Sequence, residues 1–504
     1  MSPAHAGAPD AGVPPFDWGA LPPAALADHL ARQRWSGARG ATITDVRVAG
    51  WIPFPLDAAD ACAIVLVEGR VNGAPVRWQL PLLAPSDAAV DLASADATAH
   101  APFRDALRAA LAAERELPGR TTDGRPLRWR ARAVARDGAL AASLPSRVGG
   151  AEQSNTSLLY GEAAIVKLFR RLERGPQPDV EIGRALATTR FAHVPALLAV
   201  VELDEDGDVT VLAMAQALVP RARDAWEVVV ARARAALAGD ASTESDAGVA
   251  EARRLGEATR RLHDALAAVG EEAFAPEPAT PADVRGWAGD AARAFDLALD
   301  AVAPPPGEDA STDTARAFAE ARAALGALAA RREELRARLD ALVARVDDDA
   351  GLRIRHHGDY HLGQVLRGED GTLAVIDFEG EPARPLAERR ARHSPLRDVA
   401  GMLRSFGYAA AAALREVSAE DDVAPRADAW EAAARAAYLD GYFHAAAEGR
   451  PSYLPRSRVS ADALVRVFEL EKLFYELRYE VRNRPDWLAI PLRGLQALLA
   501  AEVR

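Results

Sequence analysis

The stretch "HHGDYHLGQVL", residues 356–366, packs His356, His357, His361, Asp359 and Gln364 into eleven positions. His357 and His361 stand four apart, a spacing that would put both on one helix face. The helical zinc arrangement, however, needs a glutamate directly after the first histidine, and Gly358 and Asp359 follow here. Gly358 also weakens any helix, so the residues argue against zinc and leave two readings: a loop of hydrogen-bonding histidines, or part of a larger polar site. The larger site is favoured by what lies downstream. Thirteen residues past Gln364, the strand-like "TLAVIDFEGEP" delivers Asp377 at the end of an apolar run, and a short hairpin would return it to Asp359 and Gln364. Carboxylate plus amide oxygen is a hard-oxygen set suited to magnesium, which also takes waters and substrate phosphates. Asp359 is then left to orient a hydroxyl and take its proton as it attacks a γ-phosphoryl group.

At this point the sequence resembles a known superfamily. "HGDYHLGQVL" is similar to the catalytic loop of aminoglycoside-phosphotransferase-type kinases, a small-molecule branch of the protein-kinase-like fold, and "IDFEG" is similar to its magnesium-binding strand end. The resemblance implies an α+β, bilobal fold with a β-rich N-lobe and an α-rich C-lobe, and ATP and Mg2+ as cofactors. One departure is Gln364 where the family's loop usually has asparagine; both offer an amide oxygen, but glutamine reaches one methylene further. Glu379, two residues after Asp377, points to the same side if the chain stays extended and is expected at a second ion.

A kinase-like reading demands a phosphate-covering turn, a strand lysine and a helix glutamate, and candidates appear in that order. "EQSNTS" supplies Ser154, Asn155, Thr156 and Ser157 in place of a glycine-rich loop, "AAIVKLF" places Lys167 on an alternating strand, and "QPDVEIGRAL" places Glu181 near a helix start. Lys167 is expected to pair with the α/β-phosphates and with Glu181. The apolar "VLAMAQALVP" then reads as a strand whose backbone near Gln216 to Leu218 binds adenine, although an ordinary buried strand has the same apolarity.

Three further runs narrow the resemblance: "RQRWSG" (32–37), "DFEGEPARPLAERRARHSPLRDVAGMLRSFGYAA" (377–410) and "FELEKLFYELRYEVRNRPDWLAIPLRGL" (468–495) are similar to bacterial maltokinases. That implies ATP-dependent phosphorylation of maltose at its anomeric hydroxyl, giving maltose 1-phosphate for α-glucan and glycogen metabolism, and a functional association with trehalose synthase. It further implies an N-terminal cap and a sugar pocket bordered by the helix 468–482, where Lys472, Tyr475, Glu476 and Tyr479 fall at i, i+3, i+4 and i+7. Lys472, Tyr475, Glu476 and His361 are the expected sugar-side residues; an amphipathic helix needs such a charged face in any case. Arg397 and Asp398 either support the catalytic loop or cap the following helix, with capping the simpler reading. His263 reads as a packed core histidine, and Arg34 with Trp35 as a link between cap and lobes.

The rest of the chain fits such an enzyme. Its 504 residues allow two to four domains. The expected division is 1–92 for the cap with a disordered lead-in, 93–216 for an intermediate subdomain and the ATP-binding N-lobe, and 217–504 for the helical C-lobe. Within the cap, Asn72-Gly73 between two β-rich runs signals a tight hairpin. Acidic residues outnumber basic ones, 73 to 61, and no basic patch stands out, which excludes nucleic acid as an expected partner. The opening residues lack the charged and apolar regions of a secretory signal, and no run of about 18 uncharged apolar residues marks a membrane span. Cys62 is the single cysteine, so the expected location is the reducing cytoplasm. Two alternatives stand beside the maltokinase reading: a kinase for glucosamine or an aminoglycoside, with Glu379 and Glu381 suited to an amine, and a catalytically inactive kinase-like scaffold.

Overall fold

The computed structural model describes residues 16–38, 41–56, 61–84, 90–135, 138–150, 154–238, 243–301, 312–346, 349–417, 423–444 and 453–500. Residues 1–15, which hold the expected lead-in, residues 302–311, and the first two residues of the polar run 152–157 lie outside them. The chain divides into two compact units, residues 1–184 with 195–220, and residues 185–194 with 221–504. The first is built on strands and the second on helices, so the class is α+β.

The N-terminal unit is organised by one eleven-stranded antiparallel sheet that runs without a break from the cap strands to those of the following β-rich segment. The cap strand Ala61–Val71 shows why a continuous apolar run sits here. Ile64 and Leu66 point into one core with Phe103, Leu107 and Trp129, while Ala63, Val65 and Val67 point into a second with Leu26, Leu30 and Trp78. Side chains alternate between faces with period two, so a strand buried on both sides has no polar positions to spare. Asn72 and Gly73 adopt positive φ (50° and 82°), the backbone of a two-residue primed turn, and close the hairpin to Ala74–Ala84 in the register Val71↔Ala74. Arg170 links cap and sheet: its guanidinium stacks 4.8 Å from the Trp35 ring and reaches Asp96 at 2.7 Å.

In the C-terminal unit the helices Thr243–Ala267, Pro281–Leu299, Leu396–Glu416, Val423–His444 and Arg458–Asn483 pack together, and a short hairpin, Val365–Arg367 with Leu373–Val375, lies against the helix Ala225–Leu237. The charged run that follows residue 311 forms two helices, Thr312–Ala329 and Arg332–Val343. The register Val365↔Val375 continues into a bond from the Ile376 N–H to the Gln364 carbonyl at 3.0 Å, which brings Gln364 beside Asp377. One face of Leu396–Glu416 supports the loop before this hairpin, through Asp398, Gly401 and Ser405 at i, i+3 and i+7. Gly401 is required there because a Cβ would meet the Tyr360 carbonyl oxygen at 2.6 Å. Among the described residues no helix is long and apolar enough to cross a membrane.

Candidate active site

Residues 356–364 form an irregular loop fixed from below by a buried carboxylate. Asp398 accepts the backbone N–H groups of His357 at 2.7 Å and Gly358 at 2.9 Å, and its Oδ2 lies 3.1 Å from His263 Nε2. Burial alone would raise the Asp398 carboxyl, but the neighbouring imidazoles His356 and His263, with the latter's hydrogen bond, hold it well below the usual range. Asp398 therefore supports the loop rather than capping its helix, where Pro395 is the N-cap. His263 is packed, as expected, but it also orients Asp398.

The histidines of the loop are structural. His357 Nε2 donates to the Ile376 carbonyl at 2.9 Å while its Nδ1 accepts the Asp359 N–H at 3.3 Å, tying the loop to the end of the hairpin. His361 accepts the Gly363 N–H through Nδ1 at 3.0 Å and so caps the 3₁₀ turn Leu362–Gln364. It does not line the cavity described below, contrary to the sugar-side role expected for it.

Asp359 and Lys472 form the centre of the site. Lys472 Nζ stands 3.2 Å from Asp359 Oδ1 and 3.4 Å from Glu381 Oε1. Burial would push the Asp359 carboxyl up, but the charge and hydrogen bond of Lys472, with His361 nearby, bring it below its ordinary value. Asp359 is therefore an anion at neutral pH. Burial opposes the charge on Lys472, yet Asp359 and Glu381 raise its ammonium above the ordinary lysine range.

On the other side of the loop, Gln364 Nε2 lies 3.0 Å from Asp377 Oδ2, and carboxylate oxygens of Asp377 and Glu379 lie within 4.8 Å of each other. Asp377 has a φ of 67°, a left-handed backbone that a non-glycine residue rarely adopts and that collects at functional sites. The donor set fits a hard divalent cation: two carboxylates and an amide whose oxygen replaces its nitrogen by a simple flip.

A cavity of about 270 Å³ opens beside Asp359. Its walls come from the helix Pro281–Leu299 (Asp290, Leu297), the segment after the strand Leu373–Val375 (Glu381, Arg384), and the helix Arg458–Asn483 (Lys472, Tyr475). Arg384 reaches Glu381 at 2.8 Å and Glu471 at 2.9 Å, and Glu471 also holds Arg397 at 2.8 Å. Tyr475 and Lys472 stand on this cavity as expected; Glu476 does not. It turns inward, where Arg404 holds it at 2.9 Å with both side chains almost fully buried. The i,i+4 spacing placed Lys472 and Glu476 together, but helix rotation takes position 476 to the core side. The Pro281–Leu299 wall and Glu471 escaped the sequence reading, since neither carries a motif.

In the N-terminal unit, Lys167 lies on the strand Ala164–Leu168, between buried Val166 and Leu168. Its Nζ is 3.3 Å from Asp179 Oδ2, a carboxylate in the first turn of the helix Pro178–Ala187 that also holds Glu181. Asp179, two residues before the expected Glu181, is thus a lysine partner that sequence reasoning missed; an acid in a helix's first turn is its only signal. Thr156 and Ser157 fall within the strand Thr156–Tyr160, and the Thr156 hydroxyl accepts from Arg170 at 2.8 Å, leaving Ser154 and Asn155 in the turn proper. Gln216 is a central strand position, and the N–H groups of Ala217 and Leu218 are already given to the Ala196 and Ala163 carbonyls.

Comparison with known proteins agrees with this architecture. A family model described as the maltokinase N-terminal cap domain matches residues 29–107. A glucosamine kinase of Streptacidiphilus jiangxiensis is 32% identical over 356 residues, 70% of this chain and 73% of that protein, and one of Mycolicibacterium smegmatis is 31% identical over 360, covering 69% and 78%. A solved glucosamine kinase (crystal form B) superposes with a TM-score of 0.68 at 26% identity over 96% of this chain and 98% of that one. Another, in complex with glucosamine, ADP and inorganic phosphate, gives 0.65 at 25% identity over 94% and 99%. The chain therefore belongs to this family of ATP-dependent sugar kinases, with a maltokinase-type N-terminal cap on a protein-kinase-like fold.

Proposed function

We propose that the protein transfers the γ-phosphoryl group of ATP to a hydroxyl of an amino sugar, glucosamine being the first candidate. The observation that carries this reading is the cavity beside Asp359. At about 270 Å³ it falls just short of the roughly 300 to 1,000 Å³ usual for drug-sized ligands, which suits one sugar ring better than two. Its lining is acidic enough for an amine, with six carboxylates against five lysine and arginine side chains. The relatives that match over most of their length are glucosamine kinases.

In this reading Asp359 accepts the proton of the attacking hydroxyl, a new oxygen–phosphorus bond forms, and the bridging β–γ bond breaks to release ADP. Its low proton affinity is compatible with the role, because phosphoryl transfer passes through a loose transition state in which positioning outweighs base strength. Gln364, Asp377 and Glu379 would hold Mg2+, whose chemistry is to neutralise charge on the phosphate oxygens. Lys167, held by Asp179, would engage the ATP phosphates; Glu181, the turn Ser154–Asn155 and the strand end Gln216–Leu218 complete the proposed nucleotide side. Cytoplasmic location accords with ATP use and with a single cysteine.

A second reading, maltose, has one feature in its favour besides the cap. Every carboxylate lining the cavity already has a cationic or N–H partner, so a neutral sugar would displace no ion pair. Association with trehalose synthase belongs to that reading alone. The discriminating experiment is ADP release with ATP and Mg2+ on glucosamine, maltose, glucose and kanamycin, followed over pH. Glucosamine turnover that falls as the amine deprotonates supports the amino-sugar reading. Turnover on maltose alone, flat over the same range, replaces it; silence on all four leads first to other sugars and, once those fail too, to the inactive scaffold.

A further inference from the structure

Lys472 was expected to bind sugar, yet its ammonium has nothing left to offer one. An ammonium has three donors. One points to Asp359 Oδ1 at 3.2 Å and one to Glu381 Oε1 at 3.4 Å, while the Tyr475 ring covers a third side, 4.9 Å from Nζ to the ring centroid. Glu381 is fixed in turn by Arg384 at 2.8 Å, and Arg384 by Glu471 at 2.9 Å. Glu471 and Lys472 are neighbours on the helix Arg458–Asn483. The alternation Glu471, Arg384, Glu381, Lys472, Asp359 thus runs from the helix out to the loop and leaves each charge with an opposite neighbour.

The consequence falls on the geometry of Asp359. A carboxylate on a glycine-flanked loop swings freely about its side-chain torsions unless one oxygen is pinned. Lys472 pins Oδ1, and Oδ2 carries no side-chain or backbone donor among the described residues.

We propose that Lys472 is a positioning residue: its ammonium fixes Oδ1 of Asp359 so that Oδ2 faces the acceptor hydroxyl, and it does not itself bind the sugar. This rests on the phosphoryl-transfer reading above. The geometry also accounts for Glu381, which shares the ammonium and keeps it from closing on both oxygens of Asp359. The ionisable groups that face the Asp359–Lys472 pair are Glu381, Tyr475, Glu476, His357 and His361.

The test compares Lys472→Met, Lys472→Gln and Lys472→Arg with wild type, reading kcat and KM separately for sugar and ATP. Lys472→Met is expected to lower kcat by at least about 10²-fold, the scale for a reacting group misplaced by an ångström, with both KM values within about three-fold. Lys472→Arg, still a cationic donor to Oδ1, should recover at least about ten-fold of that loss. Lys472→Gln keeps a neutral N–H donor on a side chain one atom shorter, so it should fall between them and serves if Lys472→Met fails to fold by circular dichroism. A rise in sugar KM with kcat retained makes Lys472 a sugar ligand and overturns the proposal, as does wild-type behaviour in the folded variants. Wild type that turns over no sugar overturns the phosphoryl-transfer reading and this proposal with it; active wild type with a KM-type defect overturns this proposal alone.

Discussion

Removing the carboxylate of Asp398 should weaken the fold and the chemistry together, and the size of the first effect can be worked from the contacts. In Asp398→Ala the buried N–H of His357 and the half-buried N–H of Gly358 lose their acceptor, as does His263. A buried donor left unsatisfied costs about 1 to 3 kcal/mol, so the two backbone groups alone amount to about 2 to 6 kcal/mol. Against a typical total of about 5 to 15 kcal/mol that is a large fraction. Asp398→Asn keeps the shape and one acceptor oxygen, so its cost should be near that of one lost bond, about 1 to 3 kcal/mol. Urea titration followed by circular dichroism reads both.

The pH dependence has a definite sign. Because the folded carboxyl is depressed below its ordinary 3.8, its contribution is fully present above that value and is lost as the pH falls below it. The gap between wild type and Asp398→Asn should therefore narrow in acid. Kinetically, Gly358 immediately precedes Asp359, so a loop displaced by an ångström should cost about 10²-fold in turnover. An Asp398→Ala protein within about 0.5 kcal/mol of wild type at neutral pH would refute the anchoring argument.

Three further outcomes are expected. Glu476→Ala breaks a buried ion pair with Arg404 and should destabilise by about 3 to 5 kcal/mol in urea titrations, with sugar KM unchanged in the folded fraction; a KM increase without destabilisation would return Glu476 to the sugar site. Burial, aided by nearby Arg397, lowers the His356 imidazole to about 4 from 6.5. The unfolded chain therefore takes up a proton first as the pH falls, and wild type should lose about 3 kcal/mol between pH 6.5 and 4 that His356→Leu does not; equal losses in both proteins would exclude His356 as the cause. Asp377→Asn should raise the Mg2+ concentration for half-maximal turnover by at least about ten-fold, measured at fixed ATP, and an unchanged requirement would remove Asp377 from the metal site.

The parts of the site legible in the sequence are those set by local chain geometry. "HGDYHLGQ" followed thirteen residues later by "IDFEG" was enough to place Gln364 against Asp377, because an antiparallel hairpin permits little else. The Asn72-Gly73 turn was legible for the same reason: positive φ at two successive positions names its residues. What could not be read were contacts between segments far apart in the chain. Asp398 meets His357 across 41 positions, and its place in the first turn of a helix made capping the simpler inference. Glu476 shows the limit of helix-face arguments. Its spacing from Lys472 is right for a shared face, but which edge of that face turns inward is decided by Arg404, 72 positions away. Asp179 and Glu181 share a helix start, and that Asp179 reaches Lys167 depended on a helix rotation that spacing does not specify.

The central claim is that Asp359 is the base for phosphoryl transfer to a sugar hydroxyl. Its most direct test is ADP release by Asp359→Asn beside wild type, on whichever sugar the wild type accepts, with ATP affinity measured separately by calorimetry. A drop in turnover of at least about 10²-fold, with folding and ATP affinity retained, is the predicted result. Near-normal turnover by the folded variant would contradict it.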